Sequence, residues 1–255
     1  MSSWEVGTLT PAPAAAPRGA MLRAQTRAEL LLTVRNGEQV LLNLVIPLGL
    51  LIVLSKVPFV SLTGRRVDFA VPGVLALAIM SSAFTGQAIA TGFERYYGVL
   101  KRLGATPLPR STLLLAKTLS VLTVEVLQLG AICLLGLALG WQPHGNLPAA
   151  VLLIALGTAA FSGLGLLLGG TLRGLTSLAV ANLLWFVLMA LGGVVFPLRE
   201  TGAGEQVLQY LPTAALSDGL RTLFQSGDLV GRDVLTLLVW AVLALTAAAK
   251  AFRWE

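Results

Sequence analysis

Along most of this chain apolar residues neither alternate nor recur in a stripe; they run on without interruption. Six stretches, about 38–55, 70–91, 112–140, 147–172, 175–196 and 233–252, stay apolar for close to the length of a membrane crossing. A helix rises 1.5 Å per residue, so about 20 apolar residues cross a hydrocarbon layer of roughly 30 Å. Each stretch therefore predicts a transmembrane helix. Pro, Gly or charge bounds them, as at Val71-Pro72-Gly73, Gly140-Trp141-Gln142-Pro143, Asn146-Leu147-Pro148 and Phe196-Pro197-Leu198. The predicted fold class is an all-α integral membrane protein with six transmembrane helices, one transmembrane domain over residues 21–255 and a disordered cytoplasmic tail over 1–20, where Pro11, Pro13 and Pro17 sit among Ala, Ser and Thr. That tail lacks the charged start and apolar core of a secretory signal.

Three shorter segments are amphipathic instead. Residues 21–37 are too polar to cross, yet Leu22, Leu30, Leu31, Leu32 and Val34 give them apolar surface. At 100° per residue Gln25, Thr26, Glu29, Thr33 and Asn36 share one arc, while Arg23, Arg27 and Arg35 fall at the apolar arc, where long stems can snorkel to phosphates. This predicts an N-terminal interfacial helix. Residues 93–103 place Phe93, Tyr96, Tyr97, Val99, Leu100 and Leu103 on one arc and Glu94, Arg95, Gly98, Lys101 and Arg102 on the other. That predicts one short two-faced helix between the second and third spans, ended by Thr106-Pro107-Leu108-Pro109, with Ser111 or Thr112 capping the span that follows. After Pro212, Leu216, Leu220, Leu223 and Phe224 oppose Ser217, Asp218, Arg221, Thr222 and Gln225, which predicts an amphipathic outer-side helix before span 6.

Composition agrees with a bilayer. Of 255 residues 56% are hydrophobic and only 12% charged, where soluble domains carry about a quarter. If the N-terminus is cytoplasmic, twelve Lys and Arg fall on the cytoplasmic side and six opposite, which puts both termini inside a multi-pass protein of the cell inner (plasma) membrane. The net charge of +6 is then explained by anionic lipid headgroups and calls for no nucleic acid. Cys133, the single cysteine, lies within the third run and implies no disulfide. His144, the single histidine, sits in a short loop with no other metal ligands at useful spacing, so no metal site is expected.

A connector that only reverses direction takes about two to eight residues, whereas the one after residue 91 takes nearly twenty. Its helix either docks in a groove of another protein or lies flat with tyrosines at headgroup level. The stretch "ERYYGVLKRLGATPLPRSTLLLAK" resembles the cytoplasmic loop of type-two ABC-transporter permeases, the class that includes daunorubicin-resistance subunits, with Glu94, Gly98, Leu103, Pro107 and Lys117 on its pattern. "LGGVVFPL" followed by "LPTAALSDGLR" is similar to the family's exit from the fifth span and the helix ending at Arg221. The resemblance implies the transmembrane subunit of an ATP-driven exporter of a drug, lipid or other amphipathic compound, of the kind that gives multidrug resistance by efflux. It implies a coupling helix received by separate ABC ATPase subunits, formed here by Phe93, Glu94, Arg95, Tyr96, Tyr97, Gly98, Leu100, Lys101, Arg102 and Leu103, and a second permease subunit, identical or related, that completes the path. ATP and Mg would be bound by the partner subunits, since no G-x-x-x-x-G-K-[ST] phosphate loop occurs; this chain is expected to hold no cofactor and no catalytic residue. Lys117 and the interfacial helix are candidates to brace the movement.

Within the spans, Glu125 falls about 20 Å up the third helix, near the midplane, where a carboxylate must be paired, hydrated or protonated. It is either part of the translocation path, with Gln128 one turn on sharing its face, or a structural hydrogen-bond partner. Gly136 with Gly140, and Gly165 with Gly169, have the spacing that lets helices approach closely. Gln87 and Asn182, deep in spans, predict interhelical hydrogen bonds. A six-span serine protease is excluded because no span holds a His base. A proton-coupled carrier would need more ionisable groups than Glu125, and a non-transporting scaffold could use the same docking helix.

Overall fold

The computed structural model describes residues 15–57, 64–194 and 205–252, with residues 38–40, 42 and 205 as backbone alone. Among these the chain is all-α: α1 (Arg18–Arg35), α2 (Gly37–Lys56), α3 (Arg66–Ile79), a π-helical segment (Met80–Gly86), α4 (Gln87–Tyr96), α5 (Val99–Gly104), α6 (Arg110–Ala138), α7 (Leu147–Thr171), α8 (Gly174–Leu191), α9 (Glu205–Leu208), α10 (Pro212–Ser226) and α11 (Gly231–Ala251). α3, the π segment and α4 run on as one helix of 31 residues. Five described helices are long and apolar enough to cross a membrane: this composite one, α6, α7, α8 and α11. In α2 the apolar described part is Asn43–Lys56.

The composite helix is the axis of the bundle, with 83% of its most apolar window buried, against 17% for α8 and 22% for α11. Its interior side chains (Val71, Val74, Ile79, Met80 and Phe84) pack with Ile132, Leu153, Phe161 and Leu216 in one continuous core. Lipid tails are as apolar as leucine, so helices in a bilayer gain little by hiding leucine and associate by close approach and polar contacts instead. Glycine supplies the approach. A Cβ on Gly165 would stand 2.6 Å from the Phe84 carbonyl oxygen, and one on Gly163 would stand 2.8 Å from the Leu245 nitrogen. Gly169 lies against the Ala88 carbonyl and Thr91 in the same way.

The two ends of the bundle differ. At one end α10 is wedged among α3, α7 and α11, and its turn meets the α6–α7 loop: the His144 N–H donates to the Phe224 carbonyl at 2.9 Å, and Trp141 meets Phe224 edge to face. α10 starts on Pro212, whose missing N–H needs no partner there, and stops at Gly227 in the left-handed region (φ 82°). At the other end Leu100 of α5 packs with Leu113, Leu114, Leu166, Ala248 and Phe252.

Several expectations are corrected. Helix begins at Arg18, inside the stretch read as a tail; residues 1–14 of that tail lie outside the described residues, as do Phe196-Pro197 and the end of the fifth span. Pro72 bounds nothing: α3 passes through it. Proline removes the bond to the carbonyl four residues back, and that carbonyl, of Asp68, is taken by Gln225 Nε2 at 3.4 Å. Neither Ser111 nor Thr112 caps α6, whose N-cap is Pro109. The polar arc of α1 faces inward, with Glu29 buried, while Leu31, Leu32 and Val34 face out. α10 likewise buries Ser217 and Arg221 of its supposed outer face. Gly140 is no helix-packing residue, since α6 ends at Ala138 and Gly140 (φ 92°) turns the chain beyond it; Gly136 does lie against Val71 of α3.

Candidate functional site

The expected helix over 93–103 is two helices meeting at a corner. α4 continues to Tyr96, Tyr97 leaves helical geometry, and Gly98 takes φ 72°, a region where a side chain would be strained. The turn splits the two predicted arcs. Tyr96 and Tyr97 stand out at 65% and 66% exposure, in edge contact with each other, with Phe93 stacked on Tyr97. Glu94 and Arg95, of the polar arc, point into the bundle. Arg95 donates to the Gly170 carbonyl at 2.7 Å, at the end of α7. Leu100 is buried, whereas Lys101 and Arg102 remain exposed.

Opposite this corner lies the α7–α8 turn, which sequence reasoning did not single out. Its Arg173, Gly174, Leu175 and Thr176 form, with Phe93, Tyr96, Tyr97 and Lys101, a cleft of about 860 Å³. The turn is held tightly. Ser177 Oγ donates to the Ala88 carbonyl at 2.8 Å, and a Cβ on Gly92 would stand 2.5 Å from the Ser177 Cβ. Tyr96 packs on Gly174. Aromatic edges rimmed by Lys101, Arg102 and Arg173 thus sit on a base with little freedom to give.

Behind the corner Lys117 is buried between two carboxylates. Its Nζ donates to Glu94 Oε1 at 2.7 Å and to Glu29 Oε2 at 2.9 Å, and Gln25 Nε2 donates to the other Glu29 oxygen at 2.8 Å. One ammonium therefore joins α1, α4 and α6. Loop closure at Thr106 Oγ1, which donates to the Leu103 carbonyl at 2.6 Å, finishes the corner before α6 begins.

Deeper in the bundle Glu125 is wholly buried, and both its oxygens accept: from Ser82 Oγ at 2.7 Å and from Thr158 Oγ1 at 2.5 Å. Gln128, one turn on, meets a different neighbour, its Nε2 donating to the Asn43 carbonyl of α2 at 2.6 Å. Gln87 does make an interhelical bond, accepting from Ser162 Oγ at 2.6 Å. Asn182 does not; it is exposed and bonds the Leu178 carbonyl of its own helix. Thr158, one turn from Ser162 on α7, escaped sequence reading although their spacing places both on one face.

At the other end Arg221 clamps the exit of α8. Its Nη1 and Nη2 donate to the Gly193 and Val194 carbonyls at 2.6 and 2.8 Å, Asp218 accepts at 3.0 Å, and the guanidinium lies 3.9 Å from the Phe69 ring centre. A planar cation at a helix C-terminus meets the partial negative charge of that end.

A bundle of apolar, membrane-length helices held by glycine contacts and buried polar ties defines a multi-pass membrane protein. Residues 63–250 match the family model described as ABC-2 family transporter protein, and the chain belongs to that family, the type-two ABC permeases. It is also 24% identical over 234 residues to the protein of Bacillus subtilis (strain 168) named "Putative transport permease YvfS", a match covering 88% of this chain and 93% of that one.

Proposed function

We propose that this chain is the membrane subunit of an ATP-driven ABC exporter and that the α4–α5 corner, with the α7–α8 turn, is where a separate ATPase subunit docks. The observation that carries the reading is the pairing of an exposed aromatic and basic rim with an unyielding base. Tyr96, Tyr97, Lys101 and Arg173 face out, while Arg95 bonded to α7 and Leu100 sunk in the core hold them from behind. Buried aromatic anchors supply contact energy, basic residues set register against an acidic rim, and a stiff mount passes movement on. With α2 counted as the first crossing the chain has six, and the distribution of Lys and Arg puts both termini and the corner on the cytoplasmic side of the plasma membrane. ATP and Mg belong to the partner, so closure of two ATPase subunits would tilt the composite helix and, through Lys117, α1 and α6 with it.

The translocation path then lies between this chain and a second permease subunit, which the outward apolar faces of α6 and α8 would meet. An apolar path suits an amphipathic cargo. Co-purification tests the reading directly. The wild-type chain should bring down an ABC ATPase, and Tyr97→Ala combined with Lys101→Glu should lose both the ATPase and transport while keeping its thermal midpoint. Full transport without a bound ATPase would favour a proton-coupled carrier, and an ATPase bound with no transport would favour a scaffold.

A further inference from the structure

Inside the bundle, behind the docking corner, α1, α4, α6 and the π segment border a cavity of about 180 Å³. Glu29, Ser82, Gln87, Thr91, Glu94 and Lys117 line it, and Leu32, two-thirds exposed, borders its mouth. Three of the lining residues each carry a buried polar atom with no hydrogen-bond partner: Gln87 Nε2, Thr91 Oγ1 and Glu94 Oε2. Residues 87, 91 and 94 fall at i, i+4 and i+7, on one stripe of α4. Gln87 is 5% and Thr91 0% exposed, so neither is satisfied at the surface. Buried polar groups are nearly always bonded, and three orphans on one stripe of a well-packed helix point to a ligand.

The donor set selects its chemistry. Two carboxylates and one ammonium leave the wall one charge negative, which disfavours anions. A divalent cation takes six or more oxygens, and among the described residues no cluster of three acidic, His or Cys side chains exists to supply them. A primary ammonium fits instead, donating to Glu94 Oε2 and Thr91 Oγ1, and an oxygen a few bonds away, where the molecule carries one, accepts from Gln87 Nε2. The volume suits a small headgroup, being close to the roughly 150 Å³ of a cavity that holds benzene. Leu32 is exposed and apolar where it borders the mouth, so an attached alkyl chain can pass directly into hydrocarbon. We propose that this cavity binds the primary-ammonium headgroup of an amphiphile, with two sources sharing that chemistry: an ethanolamine lipid and a free alkylamine.

The full-length chain in phosphatidylcholine nanodiscs, with no ATPase present, is titrated with dodecylammonium and separately with dodecyltrimethylammonium, which has the charge but no N–H. Saturable binding of the first and not the second is expected. Thr91→Val removes a hydroxyl that bonds nothing, so the ligand-free thermal midpoint should hold while dodecylammonium affinity falls about tenfold, the loss of one charge-assisted hydrogen bond. Equal binding of the trimethyl compound, unsaturable partitioning, or unchanged affinity in Thr91→Val overturns the site. In discs containing phosphatidylethanolamine, a raised dodecylammonium midpoint supports the site with the lipid as occupant, and an unmoved midpoint supports it with the free amine. Because the ATPase is absent, the outcome is independent of the docking assignment.

Discussion

Replacing Lys117 with Met keeps the length of the side chain and removes the charge that Glu29 and Glu94 share. The Lys117 side chain is 4% exposed and the carboxylates are 11% and 19% exposed, so water does little to screen what is left. Breaking a buried pair by deleting one partner destabilises by about 3–5 kcal/mol, and here two carboxylates lose their cation at once, so the upper part of that range applies. For a chain of this size, about 2–4 °C of midpoint per kcal/mol converts that into a drop of roughly 8–20 °C. Replacing all three groups, with Glu29→Gln, Glu94→Gln and Lys117→Met together, leaves no charge stranded and should return to within about 1 kcal/mol of wild type. Cys133, the single cysteine and half-buried in α6, gives the readout: a thiol-reactive fluorophore reports its exposure as the bundle opens on heating. A Lys117→Met midpoint within a degree or two of wild type would refute the claim that the triad ties α1 to the bundle. A triple variant as unstable as Lys117→Met would show that packing rather than charge is at stake.

Arg221→Met strips the Gly193 and Val194 carbonyls of their charged donors and should destabilise by about 3 kcal/mol, read as a lowered thermal midpoint, with Arg221→Lys recovering only part because it cannot fork between two oxygens. Gly165→Ala places a Cβ 2.6 Å from one backbone oxygen and 2.8 Å from another, neither free to move, so a loss of about 2 kcal/mol and lower membrane yield are expected; normal yield and midpoint would mean the α7 contact is looser than it looks. Gly98→Ala meets no neighbouring atom and should cost only about 1 kcal/mol from its positive φ, yet it should lower coupled ATP turnover by skewing the corner; a defect in stability without one in coupling would argue against the corner as a lever. Glu125→Gln keeps one acceptor for Ser82 or Thr158 and should shift the midpoint by about 1 kcal/mol while leaving transport intact; selective loss of transport would place Glu125 in the path.

The crossings were legible because a run of some 20 apolar residues has one good explanation, and the corner was legible as a place because its length and charge break such a run. Which way its side chains point was not. Helical-wheel reasoning assumes that apolar arcs turn inward, but a bilayer makes the outside apolar, so Glu29, Gln25, Glu94 and Arg95 found their partners within the bundle and Leu31, Leu32 and Val34 did not need to. Lys117 carried the missing signal. A lone ammonium inside "TLLLAKTLSVL" requires carboxylates nearby, and Glu29 and Glu94 both lie in segments next to that end of the third span. Gly98 misled for another reason: in a two-faced pattern it reads as a small polar-side residue, and only its positive φ shows it as a break. The wider turn at Met80–Gly86 leaves no compositional mark at all, since "MSSAFTG" is ordinary helix sequence.

That wider turn constrains how the chain can change length. A π segment holds one residue more than the regular spiral would, so deleting a single residue between Met80 and Gly86 could restore ordinary α geometry without leaving any gap. Everything below would then keep nearly its present aim, with Glu94 on Lys117 and the two tyrosines at the cleft, because the residue removed is the one the wider turn absorbs. The same deletion between Gln87 and Glu94, where the spiral is already regular, would swing the rest by about 100°, the angle one residue subtends, and act as a crank on the docking corner.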